Sequence, residues 1–139
     1  MAEEPTPITC FIVDDDEDDQ EVFAAAMDKT GFRHYRCIFA GDGAEAMEKL
    51  SADFQPDFIF LDLNMPRLNG IQCLCEIRKQ AHLQLVPVAI YTTSADDSSK
   101  TQAFELGANA FIAKPTRFSE LVNRLNEYFT THGPVRANQ

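Results

Sequence analysis

The stretch Ile8-Thr-Cys-Phe-Ile-Val-Asp-Asp-Asp-Glu-Asp-Asp19 runs an apolar, β-branched segment straight into six consecutive acids. Ile8–Val13 is too short for a helix and carries no polar alternation, so it predicts a strand covered on both faces. Carboxylates crowded at the end of a buried strand repel one another, and positive charge is expected to meet them there. Working outward, Tyr35–Phe39, Phe58–Leu61, Val88–Tyr91 and Ala110–Ala113 read as strands of the same kind. Between them Glu17–Lys29, Gly43–Leu50, Gly70–Gln80 and Asp96–Leu106 read as helices, and Phe118–Thr130 supplies a fifth. Val22, Ala25, Ala26 and Lys29 recur at helical steps, as do Leu121, Leu125, Tyr128 and Phe129. Strictly alternating strands and helices imply parallel strands with crossover helices, hence a three-layer α/β/α sandwich.

The chain has 139 residues, enough for one core that buries about 68% of the unfolded surface. We expect one domain over residues 7–131, with 1–6 and 132–139 as flexible termini marked by Pro5, Gly133 and Pro134. Twenty-two acids against 12 bases give a formal charge of -10, which argues against binding nucleic acid or anionic lipid through bulk charge. No apolar run approaches the ~20 residues of a membrane span, and MAEEPTP is not a signal peptide, so a cytoplasmic protein is expected. Cys10, Cys37, Cys73 and Cys75 lack metal or redox spacing and read as packing residues. His34, His82 and His132 are scattered without ligand spacing.

In open α/β sheets ligands sit beyond the carboxyl ends of the strands. Asp14, Asp15 and Asp16 end the first strand, Asp62 the third, Thr92, Thr93 and Ser94 the fourth, and Lys114-Pro115 the fifth. No glycine-rich phosphate loop or nucleophile elbow accompanies them. Two acids from the first loop and one from the third can bind a hard divalent cation, and Mg²⁺ typically needs only one or two carboxylates beside its waters. Glu17, Asp18 and Asp19 stand where a first helical turn begins, a place acids favour without any ligand. Asp62 opens DLNMPRLNG, whose Pro66, Asn69 and Gly70 are turn and helix-start residues. A carboxylate fixed beside a cation is suited to accept a phosphoryl group, with Lys114 stabilising the transferred charge and Thr92 donating a hydroxyl hydrogen bond.

With these residues in place, the chain resembles the receiver domain of two-component response regulators from Ile8 to about Phe129. IVDDD, PDFIFLDLNMPRLNG, PVAIYTTS and GANAFIAKP carry the resemblance, in order and at strand ends. It implies a flavodoxin-like fold with strand order 2-1-3-4-5. It further implies that Asp62 is the phosphoacceptor for a sensor histidine kinase or phosphotransfer protein. Mg²⁺, or Mn²⁺, would be held by Asp15, Asp62 and the Asn64 main-chain carbonyl, with Asp14 acting through water. Lys114 would pair with the phosphoryl group, Lys114-Pro115 resembles a peptide bond that is commonly cis in the family, and Thr92 and Phe111 would form the switch pair. Asn69 stands where many receivers have Asp, Phe111 where many have Tyr, and Asn64 and Ser94 occupy variable flanking positions.

After Phe129 about ten polar residues remain, so a stand-alone receiver is expected, signalling to a downstream protein or relaying phosphate, as a monomer or a weak homodimer through the fourth helix, fifth strand and fifth helix. Phe118, Leu121, Tyr128 and Phe129 are candidates for that face, against the alternative that they pack the last helix onto the sheet. The DLNMPRLNG and TTS wording resembles partners of phytochrome-type kinases more than chemotaxis regulators. Two other classes compete. A phosphoester-hydrolysing enzyme would want an acid or base where Asn64 stands, and a cap. A pseudo-receiver that never takes phosphate usually lacks one of the key residues, whereas Asp14, Asp15, Asp62, Thr92 and Lys114 are all present.

Overall fold

The computed structural model describes residues 7–32, 34–51, 53–65, 68–94 and 96–132. Along the chain lie β1 (Ile8–Val13), α1 (Glu17–Lys29), β2 (Tyr35–Ala40), α2 (Gly43–Lys49), β3 (Phe58–Leu61), α3 (Gly70–Lys79), a 3-10 turn (Ala81–Leu83), β4 (Val88–Thr92), α4 (Asp97–Glu105), β5 (Ala110–Ala113) and α5 (Phe118–His132). Every expected element is present, with no end shifted by more than two residues. Of the expected terminal segments 1–6 and 132–139, residues 1–6 and 133–139, including Pro5, Gly133 and Pro134, lie outside the described residues, as does Pro66. His132, expected in the terminus, belongs instead to the last helix and ends α5.

The strands form one parallel sheet in the order β2-β1-β3-β4-β5, a flavodoxin-like fold. Alternating side chains send Phe11, Val13, Ile59, Leu61, Val88 and Ile90 to one face, where α2, α3 and α4 cover them. The opposite face takes Cys10, Ile12, Phe58, Phe60, Ala89 and Tyr91 and is covered by α1 and α5. That second layer is aromatic: Phe60 sits edge-on to Phe23 at 4.8 Å, Tyr128 at 5.5 Å and Phe129 at 5.9 Å between ring centroids. Edge-to-face pairs of this kind add to what burial alone contributes.

Helix starts follow their capping residues. Asp16 caps α1, accepting from the amides of Asp18 and Asp19, and Asn69 with Gln72 forms a reciprocal capping box at α3. The role of Asn69 in the loop is thus a cap. The face of α1 differs from the expected one: Phe23, Ala26 and Met27 are buried, while Val22 is 41% exposed. The Val22, Ala25, Ala26 and Lys29 steps trace a helix but mark its buried stripe one residue out of phase, because the small residues Ala24, Ala25 and Ala26 fit either side. In α5, Leu121, Tyr128 and Phe129 are buried on the sheet and only Phe118 of the expected dimer-face residues is open.

All four cysteines are free. Burial pushes the thiols of Cys37 and Cys73 up to about 12, and that of Cys10 upward too, which keeps them unreactive packing groups. Among the described residues no helix is long and apolar enough to cross a membrane.

One glycine ties the fold to the strand ends. A Cβ on Gly70 would stand 2.3 Å from the Asp62 carbonyl oxygen and 2.4 Å from Leu63 Cα, so α3 begins pressed against the loop that carries Asp62. Gly70→Ala is expected to cost about 2 kcal/mol, read as a lower urea midpoint, because backbone rather than a flexible side chain must move.

Candidate functional site

Backbone hydrogen bonds of the sheet continue one residue past the strands and hold the functional residues at its carboxyl edge. The Asp14 amide donates to the Ala40 carbonyl at 3.0 Å, the Asp62 amide to Val13 at 3.0 Å, and the Lys114 amide to Thr92 at 2.8 Å. The chain reverses its direction of strand addition between β1 and β3, so Asp14 and Asp62 flank the topological switch point where such sheets place ligands.

The side chains converge on one ammonium. Lys114 Nζ donates to Asp14 Oδ2 at 2.7 Å, Asp19 Oδ2 at 2.8 Å and Asp62 Oδ2 at 3.0 Å. The Lys114 side chain is 8% exposed, against 2% for Asp14, 7% for Asp62 and 37% for Asp19. The other oxygen of Asp62 accepts from the Thr92 hydroxyl at 2.8 Å and the Asn64 amide at 3.0 Å. Asp14 Oδ1 accepts from the Asp16 amide at 3.0 Å. The ammonium also lies 5.3 Å from the centroid of the Tyr91 ring, whose hydroxyl burial pushes up to about 12. Asn64 donates through Nδ2 to Ser94 Oγ, joining the two flanking positions across the mouth of the site.

The two partners of the tightest pair both titrate upward, which a lone ion pair would not produce. Burial works against the Lys114 charge, but its hydrogen bonds to Asp14, Asp19 and Asp62 prevail and its pKa is raised. Burial raises the Asp14 pKa, and the repulsion of Asp62 adds to it, beyond what Lys114 and the Asp16 amide recover. The lysine is shared too widely to satisfy each acid. Its contribution to stability is present below the ordinary lysine pKa of about 10.4 and is lost only as pH climbs through the raised value.

Three carboxylates share one ammonium, and a fourth, Asp15, lies beside two of them. Oxygens of Asp14, Asp15 and Asp62 all lie within 4.8 Å of one another. Two oxygens bound directly to Mg²⁺ at about 2.1 Å each stand at most ~4.2 Å apart, so these acids fit the ion with a small contraction or with one of them acting through water. The excess negative charge and the hard oxygen donors make the site chemically suited to Mg²⁺ or Mn²⁺. Without metal, Asp14→Asn is expected to raise stability, since it removes a charge the fold disfavours. Mg²⁺ at a hundredfold its Kd should stabilise the parent by ~2.7 kcal/mol. Urea titrations with and without Mg²⁺ check both, and the metal response should shrink in Asp14→Asn.

The sequence candidates Asp14, Asp15, Asp62, Thr92 and Lys114 come together at one edge. Phe111 stands lower on β5, paired with Ile90, half-buried on the same face as Thr92, with Lys100 5.9 Å from its ring centroid. Asp19, expected only as a solvated helix start, is drawn onto Lys114; its place three residues past the Asp16 cap was the signal available. The Lys114-Pro115 bond is not cis, since no cis peptide occurs among the described residues. The trans form, favoured by X-Pro bonds generally, already lets Lys114 reach all three acids.

A family model described as response regulator receiver domain matches residues 10–126. The phosphate regulon transcriptional regulatory protein PhoB of Pseudomonas aeruginosa is 31% identical over 91% of this chain and 53% of its own length. The chain spans about half the length of the first curated relatives it matches. Among solved structures, the phosphorylated cyanobacterial phytochrome response regulator RcpA is 26% identical with a TM-score of 0.82, covering 91% of this chain and 94% of that one. The Mn²⁺-bound response regulator Rcp1 is 25% identical with a TM-score of 0.78, covering 89% and 93%. With the family matched across most of its length and the acidic edge assembled as that family's strand order dictates, this chain belongs to the response regulator receiver domains of two-component signalling.

Proposed function

We propose that Asp62 accepts a phosphoryl group from a sensor histidine kinase or phosphotransfer protein in a Mg²⁺-dependent reaction. The observation that carries this reading is the convergence on Asp62 of Lys114 at one oxygen and Thr92 with the Asn64 amide at the other. Asp15, Asp62 and the Asn64 main-chain carbonyl would hold the cation, with Asp14 acting through water. When bound, the cation screens the repulsion between an anionic nucleophile and an anionic donor. An Asp62 oxygen bonds to phosphorus as the bond to the donor's leaving atom breaks, and Lys114 stands ready to take the charge on the phosphoryl oxygens.

The product adds about 1.5 to 2 negative charges next to a hydroxyl that now donates to Asp62. Thr92 would move to the phosphoryl oxygens and Phe111, on the same face, would turn inward, which changes the surface of α4, β5 and α5 offered to a downstream protein. That surface also carries exposed Phe104 and Phe118 and is the place for a weak homodimer. Light scattering with and without beryllofluoride checks the dimer, and an unchanged mass rules out one driven by phosphorylation. The likeness to RcpA favours a phytochrome-type kinase as the donor.

Intact mass after incubation with acetyl phosphate tests the reading. The parent should gain one phosphoryl group with Mg²⁺ and none without it, and Asp62→Asn should gain none. No gain in the parent, with no beryllofluoride complex either, would leave a binding module that works without phosphate.

A further inference from the structure

An ammonium has three N–H donors, and in Lys114 each is given a carboxylate, Asp14 at 2.7 Å, Asp19 at 2.8 Å and Asp62 at 3.0 Å. Asp14 and Asp62 belong to the group of acids whose oxygens lie close enough to share a cation, and Asp19 does not. Its backbone is fixed at the first turn of α1, where its amide donates to the capping Asp16 carboxylate at 3.2 Å. Its side chain is the most exposed of the three, so it holds a charge at the least desolvation cost. A divalent cation drawn to Asp14 and Asp62 takes over part of their charge and repels the neighbouring ammonium. Asp19 is then the acid left to hold Lys114 in place.

We infer that Asp19 is a positioning residue that keeps the Lys114 ammonium over Asp62 while the cation is bound, an inference that rests on the phosphoacceptor reading of Asp62. With acetyl phosphate as donor, an Asp62 oxygen bonds to phosphorus as the phosphorus–oxygen bond to the acetyl group breaks, and the electron pair leaves on acetate; no proton is needed. The charge of the transferred group develops beside an ammonium that Asp19 has already placed, so no reorganisation is required at that moment. Asp18 provides the matched comparison. It lies in the same helical turn, is exposed, and its carboxylate makes no bond to Lys114 among those described.

The test compares the parent with Asp19→Asn, Asp19→Glu and Asp18→Asn, each at saturating Mg²⁺ established by titration. Two quantities are read: the rate of phosphoryl gain by intact mass, and the NMR signal of the Lys114 ammonium before and after Mg²⁺ is added. Asp19→Asn should gain phosphoryl about tenfold more slowly, Asp19→Glu should recover part of the rate, and Asp18→Asn should match the parent. The ammonium signal should survive Mg²⁺ in the parent and be lost to water exchange in Asp19→Asn. A parent-like rate and an undisturbed signal in Asp19→Asn would overturn the inference, as would equal slowing in Asp18→Asn, which would point to helix charge alone. Should the parent itself take no phosphoryl group, the phosphoacceptor reading fails, while the ammonium signal still decides whether Asp19 holds Lys114. Asp19→Ser repeats the test if Asp19→Asn does not fold.

Discussion

Lys114→Ala is expected to destabilise the metal-free protein by about 3 kcal/mol, because it strands Asp14 and Asp62 as buried carboxylates without their counter-charge. The figure sits at the low end for a broken buried pair, since Asp19 is open enough to be solvated. Two further results are tied to the same cause. Burial already pushes the Asp14 carboxyl up, and losing the ammonium removes what opposes that push, so the acid takes a proton more readily in the folded variant and the loss should be smaller in mild acid than at neutral pH. Mg²⁺ should also recover part of the loss, because it supplies positive charge to the same oxygens. Urea unfolding across pH, with and without Mg²⁺, checks all three. An unchanged midpoint in metal-free buffer at neutral pH would mean that the acids are already relieved by water, and the charge argument for the site would fail.

Phe60→Ala should cost about 4 kcal/mol, for reasons unrelated to charge. Phe60 is fully buried at the centre of β3 and its ring meets Phe23, Tyr128 and Phe129, so truncation opens a cavity between the sheet and both α1 and α5. Rigid backbone on the sheet side and aromatic rings on the helix side give the hole little means of collapse. Phe104→Ala, on an exposed stretch of α4, should stay within about 0.5 kcal/mol of the parent. Guanidinium unfolding of the two variants separates core from surface, and equal losses would contradict the layer assignment.

The sheet was legible because its inner strands are buried on both faces and so read as unbroken apolar runs, from Ile8–Val13 through Val88–Thr92. The site was legible for a related reason: in a parallel sheet every strand end points the same way, so Asp14, Asp62, Thr92 and Lys114 had to meet. What stayed hidden depended on side-chain reach and helix phase. Whether Asp19 points to solvent or to Lys114 turns on the angle at which α1 leaves the strand, which the Asp16 cap sets and the charge pattern does not reveal. The buried stripe of α1 was likewise obscured by its run of alanines, and only packing selected Phe23 and Met27 over Val22. The six acids of the opening stretch therefore divide by place: Asp14 and Asp15 bring oxygens close to those of Asp62, Asp16 caps the helix, Glu17 and Asp18 lie in its first turn, and Asp19 meets the lysine.

The most direct test of Asp62 as the phosphoacceptor is to trap the phosphorylated protein with borohydride, which reduces an acyl phosphate to the alcohol, and to sequence its peptides by mass spectrometry. Homoserine should appear at position 62, only after treatment with phosphodonor and Mg²⁺. Homoserine at Asp14, Asp15 or Asp19 instead, or a phosphorylated protein that yields none at all, would contradict the assignment.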